Sequence, residues 1–136
     1  MSVEPQENQN TKVLIVDSDK FLVGMYSVKL ESKGFAIDSS LSSLDALKKL
    51  REGKVYDIIL IEILMQTMNG IELLKNIREE NLCPKATVII LTNETQPSQI
   101  EEAKKFKIDG YIIKASSVPS EVLDEVVKIH NAHSKI

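Results

Sequence analysis

The segment Y-D-I-I-L-I-E-I-L-M-Q-T-M-N-G-I-E-L-L (residues 56–74) changes hydrophobic period part-way through. Residues 58–61 are a continuous apolar run too short for a helix, the pattern of a strand buried on both faces. From Gly70 onward the apolar positions recur at helical spacing, which predicts a helix over 70–80. Similar apolar runs stand at 13–16, 88–91 and 111–113, with a weaker one at 35–39 whose polar end suits a sheet edge. Helical spacing is found at 19–33, 43–52, 97–106 and 119–133. Strand and helix therefore alternate five times. Buried strands in that order predict an α/β fold: one doubly wound, five-stranded parallel sheet with right-handed crossovers and helices on both faces.

Local signals agree. Gly34 and Gly53 stand where helix C-caps belong, Ser42 or Ser43 can cap the second helix, and Pro119 suits the first turn of the last. Glu101 and Lys105 are spaced as an i,i+4 pair. With 136 residues, 43% hydrophobic and 27% charged, the chain reads as one soluble domain. We place a disordered leader at 1–11 and the domain at 12–133. A net charge of −3 argues against a nucleic-acid footprint, and no apolar run approaches a bilayer span. Cys83 is the only cysteine, which excludes an internal disulfide and a Cys-based metal site. Cytoplasm is the expected compartment.

What ends each run carries the chemistry. Residues 13–16 are followed by Asp17, 58–61 by Glu62, 88–91 by Thr92 and 111–113 by Lys114. In a parallel sheet these ends share one edge, where open α/β folds place ligands. Two carboxylates, a hydroxyl and an ammonium suit a phosphoryl group: carboxylates for nucleophile and cation, Thr and Lys for phosphate oxygens. Polar residues often mark single strand ends, but four such coincidences outweigh that plainer reading.

K-V-L-I-V-D-S-D (12–19), residues 56–74, V-I-I-L-T-N (88–93) and G-Y-I-I-K-A (110–115), in this order, resemble the receiver domain of two-component response regulators. The resemblance covers roughly 12–130 and implies a flavodoxin-like sheet in order 2-1-3-4-5 with five helices. It implies that Asp17 belongs to an acidic pair holding Mg²⁺, with the Leu64 carbonyl as a backbone ligand. Glu62 falls on the phosphate-accepting position, Thr92 on the hydroxyl that contacts the phosphoryl group, Tyr111 on the aromatic switch and Lys114 on the invariant Lys.

The departures matter more. Ser18 replaces the second acid, so Mg²⁺ should bind weakly if at all, with Asp17, Glu62 and Leu64 as the remaining ligands. Glu62 is one methylene longer than the usual Asp, and a misplacement of ~1 Å can cost on the order of 10²-fold in rate. Gln66 and Ala115 stand where Pro is usual, so the peptide after Lys114 should be trans. Lys107 takes a helix-ending place usually held by Gly and should have positive φ. Two readings of Glu62 follow: a built-in mimic of the phosphorylated state, or a degenerate position in a receiver that only docks. In both, the chain is a stand-alone pseudo-receiver without enzymatic activity. It would serve a sensor histidine kinase or an output or scaffold protein, as a monomer or weak dimer. The rival reading is a haloacid-dehalogenase-type phosphotransferase using Asp17 and Asp19, which D-S-D also resembles; Phe21 fits that motif poorly.

Other features read plainly. His130 and His133 are expected to be solvent-exposed near the terminus rather than a metal pair. Lys104, Lys105 and Lys107 are read as a solvated helix end, Met25 and Tyr26 as core, Met65 and Met68 as packing beside the Glu62 loop, and Cys83 as an unremarkable loop residue.

Overall fold

The computed structural model describes residues 10–134. The strands are β1 (Lys12–Val16), β2 (Ala36–Ser40), β3 (Ile58–Ile61), β4 (Thr87–Thr92) and β5 (Gly110–Ile113). The helices are α1 (Lys20–Glu31), α2 (Ser43–Arg51), α3 (Gly70–Glu79), α4 (Pro97–Lys104) and α5 (Pro119–Ser134), with a 3-10 turn at Lys114–Ser116 before α5. The sheet order is β2-β1-β3-β4-β5 and every pairing is parallel. β2 is an edge strand, as its polar end suggested. The proposed leader at 1–11 lies mostly outside the described residues, but Thr11 is tied to the sheet through its carbonyl, which accepts from Ala36 N at 2.9 Å.

The two-residue period of the strands builds two cores. Val13, Ile15, Ile58, Leu60, Ile89 and Leu91 pack with Val23, Tyr26 and Leu30 of α1 and Val122, Leu123 and Val126 of α5. The alternate residues, Leu14, Val16, Ile59, Ile61, Val88 and Ile90, pack with α2, α3 and Ala103 of α4. Because both faces are covered, β1, β3 and β4 read as unbroken apolar runs.

Helix ends follow the cap chemistry. Asp19 caps α1 by accepting from Phe21 N and Leu22 N, and Ser42, rather than Ser43, caps α2 by accepting from Asp45 N. Asn69 and Glu72 form a capping box on α3. Gly34 and Gly53 have φ of 97° and 94°, and Lys107 has φ 59°. Gly70 is required by space, since a Cβ there would lie 2.2 Å from the Glu62 carbonyl oxygen. That contact seats the start of α3 directly behind the loop that carries Glu62.

Four local readings are corrected. Lys105 pairs with Glu102 at 3.3 Å, three residues away, rather than with Glu101. His130 is half-buried with Nδ1 2.7 Å from Thr87 Oγ1. His133 Nδ1 lies 2.9 Å from Asp109 Oδ1, and its Nε2 is 3.2 Å from the Lys85 carbonyl. These imidazoles dock α5 onto the sheet because the helix continues past both. Cys83, with φ 45°, closes a two-way bond with the Tyr56 backbone: Tyr56 N donates to Sγ at 3.2 Å and the thiol donates to Tyr56 O at 3.1 Å.

Candidate functional site

The parallel register delivers the four strand-end residues to one edge. Val16 aligns with Ile61 and Thr92 with Ile113, so Asp17, Glu62, Thr92 and Lys114 all leave the sheet at its carboxyl end. Asp17 N donates to Ser40 O at 3.1 Å and Glu62 N to Val16 O at 3.0 Å, which carries the ladder one residue past the strands and fixes both acids.

Lys114 lies between the carboxylates. Its Nζ is 2.6 Å from Asp17 Oδ2 and 2.8 Å from Glu62 Oε1, and all three side chains are at most 9% exposed. Burial alone would lower the Lys114 pKa, but the hydrogen bonds and charges of Asp17 and Glu62 outweigh it and hold the ammonium above the ordinary lysine value. The remaining oxygens are also engaged. Asp17 Oδ1 accepts from Asp19 N at 2.9 Å, and Glu62 Oε2 accepts from Leu64 N at 3.1 Å and from the Thr92 hydroxyl.

From Thr92 the hydrogen bonds run outward. Its Oγ1 accepts from Glu94 N at 3.1 Å, and the carbonyl of Glu94 accepts from the Tyr111 hydroxyl at 2.7 Å. A continuous chain thus joins Glu62 to Tyr111 through Thr92 and the loop before α4. Tyr111 is half-buried against the core of that face; burial, then the nearby charges of Glu94 and Glu62, raise its phenol pKa. Ala115 adds a cross-link that Pro could not supply, its N–H donating to Asn93 Oδ1 at 2.8 Å. No cis peptide occurs among the described residues, in line with the trans bond expected after Lys114.

The residues do not fit a divalent cation as they are arranged. Every oxygen of Asp17 and Glu62 already accepts an internal hydrogen bond, Lys114 lies where positive charge is wanted, and Ser18 is exposed and adds no charge. Among the described residues no group of three or more His, Cys, Asp or Glu is placed to hold a metal ion. The Asp19 carboxylate caps α1. That same role leaves the Asp17–Asp19 phosphotransferase reading without support. Gln66 is exposed and nothing in the structure explains it.

Sequence reading placed Asp17, Glu62, Thr92 and Lys114 together at one edge, as the structure has them. It gave no role to Asn93 or Glu94, whose contacts are made across the loop between β4 and α4. It also missed that Lys114 binds both acids.

A doubly wound sheet in this order, with acids, hydroxyl and ammonium gathered at its carboxyl edge, defines the flavodoxin-like class of α/β domains. Within that class the chain belongs to the response regulator receiver domain family, whose family model matches residues 13–127. It is 33% identical over 122 residues to the chemotaxis protein CheY-3 of Vibrio cholerae, covering 88% of this chain and 93% of that one. It is 39% identical over 82 residues to the transcriptional regulatory protein CpxR homolog of Haemophilus influenzae, spanning 60% of this chain but only 34% of that protein. Among solved structures, CheY4 of Vibrio cholerae superposes with a TM-score of 0.78 at 26% identity, over 88% of this chain and 98% of that one. The receiver domain of Francisella response regulator 1452 gives 0.77 at 28% identity, over 90% and 98%. The domain is therefore a receiver of two-component signalling.

Proposed function

We propose that this receiver works without phosphorylation, with Glu62 standing in for the phosphorylated side chain and holding the domain toward its signalling shape. The supporting observation is the chain of hydrogen bonds from Glu62 through Thr92 and Glu94 to Tyr111, with Lys114 on the other carboxylate oxygen. The longer arm of Glu brings a fixed negative charge to the two groups that a phosphoryl oxygen would engage. The engaged oxygens and Ser18 argue further that cation binding is weak and that the domain neither accepts phosphate nor turns over a substrate. Its action is docking, on a histidine kinase or on an output or scaffold protein in the cytoplasm. Among the described residues no helix is long and apolar enough to cross a membrane.

Energetics limit how strong the bias can be. Moving a 1:99 mixture to 99:1 requires about 5.5 kcal/mol of differential stabilisation. One hydrogen bond to a charged group is worth about 1.5–3 kcal/mol net. Lys114, Thr92 and Leu64 together can supply much of the requirement, provided that they engage Glu62 more weakly in the other state.

The test is Glu62→Gln, which keeps shape and removes charge. An amide cannot accept from Lys114, Thr92 and Leu64 at once: with its oxygen toward Thr92 and Leu64 the Lys114 ammonium is stranded, and with its oxygen toward Lys114 the Leu64 N–H is stranded and the Thr92 hydroxyl must reorient. Loss of the Tyr111–Glu94 bond, read from NMR of the Tyr111 ring, together with weaker partner binding is expected. An unchanged ring and unchanged binding would leave the degenerate, docking-only receiver in its place.

A further inference from the structure

We infer that His133 is a pH-sensitive latch for the last two turns of α5, closed when its imidazole is protonated and released when it is neutral. The buried side chains of α5, Val122, Leu123 and Val126, all lie in its first half. Beyond Val126 the helix is seated by Ile129 and two imidazoles. Ile129 packs over Gly110, where a Cβ would lie 2.6 Å from its Cδ1. With so little apolar surface covered, the polar contacts decide how firmly this end is held.

The partners of His133 select its protonated form. Nδ1 is 2.9 Å from Asp109 Oδ1, and Nε2 is 3.2 Å from the carbonyl oxygen of Lys85, in the turn before β4. A carboxylate and a carbonyl both only accept. A neutral imidazole has one N–H and serves one of them, whereas the imidazolium donates to both. The carboxylate is itself fixed against β4, since Asp109 N donates to Val88 O at 2.7 Å and Asp109 Oδ2 accepts from Val88 N at 2.8 Å.

His130, one turn earlier, is the opposite case. Its Nδ1 faces the hydroxyl of buried Thr87 at 2.7 Å, which can donate to a neutral ring. Burial pulls the His130 pKa below the ordinary histidine value, helped by His133 and opposed by Asp57 and Asp109. The charged and titratable groups around this end of α5 are thus Asp57, Asp109, Lys85 and the two imidazoles. On the α1 side, Lys33 meets Asp124 at 3.2 Å, farther back along the helix. The sign follows: the latch is closed while His133 carries its proton and is lost as pH rises and that proton leaves. It weakens at the acid end only where His130 is forced to take a proton.

The test is NMR of the whole chain between about pH 5 and pH 8, the range in which histidine changes charge. It reads the ring nitrogens of His133 and the exchange protection of amides 130–134, corrected for the intrinsic pH dependence of exchange. Protection should fall about threefold to tenfold as the His133 ring loses its proton, while amides 122–126 hold theirs. Asp109→Asn changes the donor pattern. Its amide oxygen keeps the bond from Val88 N, its NH2 donates to His133 Nδ1, and a neutral ring then serves both partners through Nε2–H. That variant should flatten or reverse the pH response, His133→Gln should abolish it, and Glu62→Gln should leave it as in wild type. The inference is overturned if wild-type protection stays constant while the ring titrates. It is equally overturned if Asp109→Asn keeps the wild-type direction and size, or if the response survives in His133→Gln.

Discussion

Replacing Lys114 with Met leaves Asp17 and Glu62 buried without the cation that both contact. Nζ lies 2.6 Å from one carboxylate and 2.8 Å from the other. At an effective dielectric of about 20, each contact is a gross attraction of about 6 kcal/mol, most of it cancelled by desolvation. Removing one member of a buried ion pair costs about 3–5 kcal/mol, because the remaining charge is stranded. Here two charges of the same sign are stranded, so the upper part of that range applies. A domain of this size has about 5–15 kcal/mol in total, so the variant should be marginal. Urea unfolding followed by far-UV circular dichroism is the assay, since the chain has no Trp. Replacing the whole triad is a different matter. Neutral substitutes of similar shape avoid the desolvation cost, so adding Asp17→Asn and Glu62→Gln to Lys114→Met should recover at least half of the lost stability. If Lys114→Met alone costs less than about 1 kcal/mol, the value of an exposed pair, the triad is not acting as a buried electrostatic unit.

The raised pKa of Lys114 fixes a sign in alkali: its contribution to stability is complete below the unfolded value of about 10.5 and is lost as pH rises through the folded value, so wild type should weaken more steeply above about pH 10.5 than Lys114→Met. Incubation with acetyl phosphate and Mg²⁺ should leave the mass of the wild-type chain unchanged, whereas Ser18→Asp with Glu62→Asp should gain one phosphoryl group. A mass shift on wild-type Glu62 would refute the reading of that site. Lys107→Gly should be neutral or stabilising by up to about 1 kcal/mol, because φ is 59° and the Lys107 carbonyl that Arg78 binds is retained; a clear loss in the same urea assay would contradict it.

The alternation of apolar runs with helical spacing made the architecture legible before any coordinates. Strands buried on both faces must be unbroken runs of Val, Ile and Leu, and the polar residue closing each run must emerge at the common edge. Asp17, Glu62, Thr92 and Lys114 were therefore readable as a set. The positive φ at Lys107 was readable too, through the resemblance to receivers, in which Gly usually ends this helix. Short-range polar contacts were not readable. That Lys105 would choose Glu102 over Glu101 depends on side-chain rotamers. The imidazoles of His130 and His133 looked exposed because a helix near a terminus usually is, yet α5 runs back along the sheet and carries them to Thr87 and Asp109. Whether Glu62 engages Thr92, and whether Tyr111 turns its hydroxyl toward Glu94, depends on distances of a few tenths of an ångström between residues far apart in the chain. Hydrophobic period sets which face a residue takes, because it repeats along the backbone. Hydrogen bonds across the sheet edge carry no such repeat, so only the assembled tertiary structure decided them.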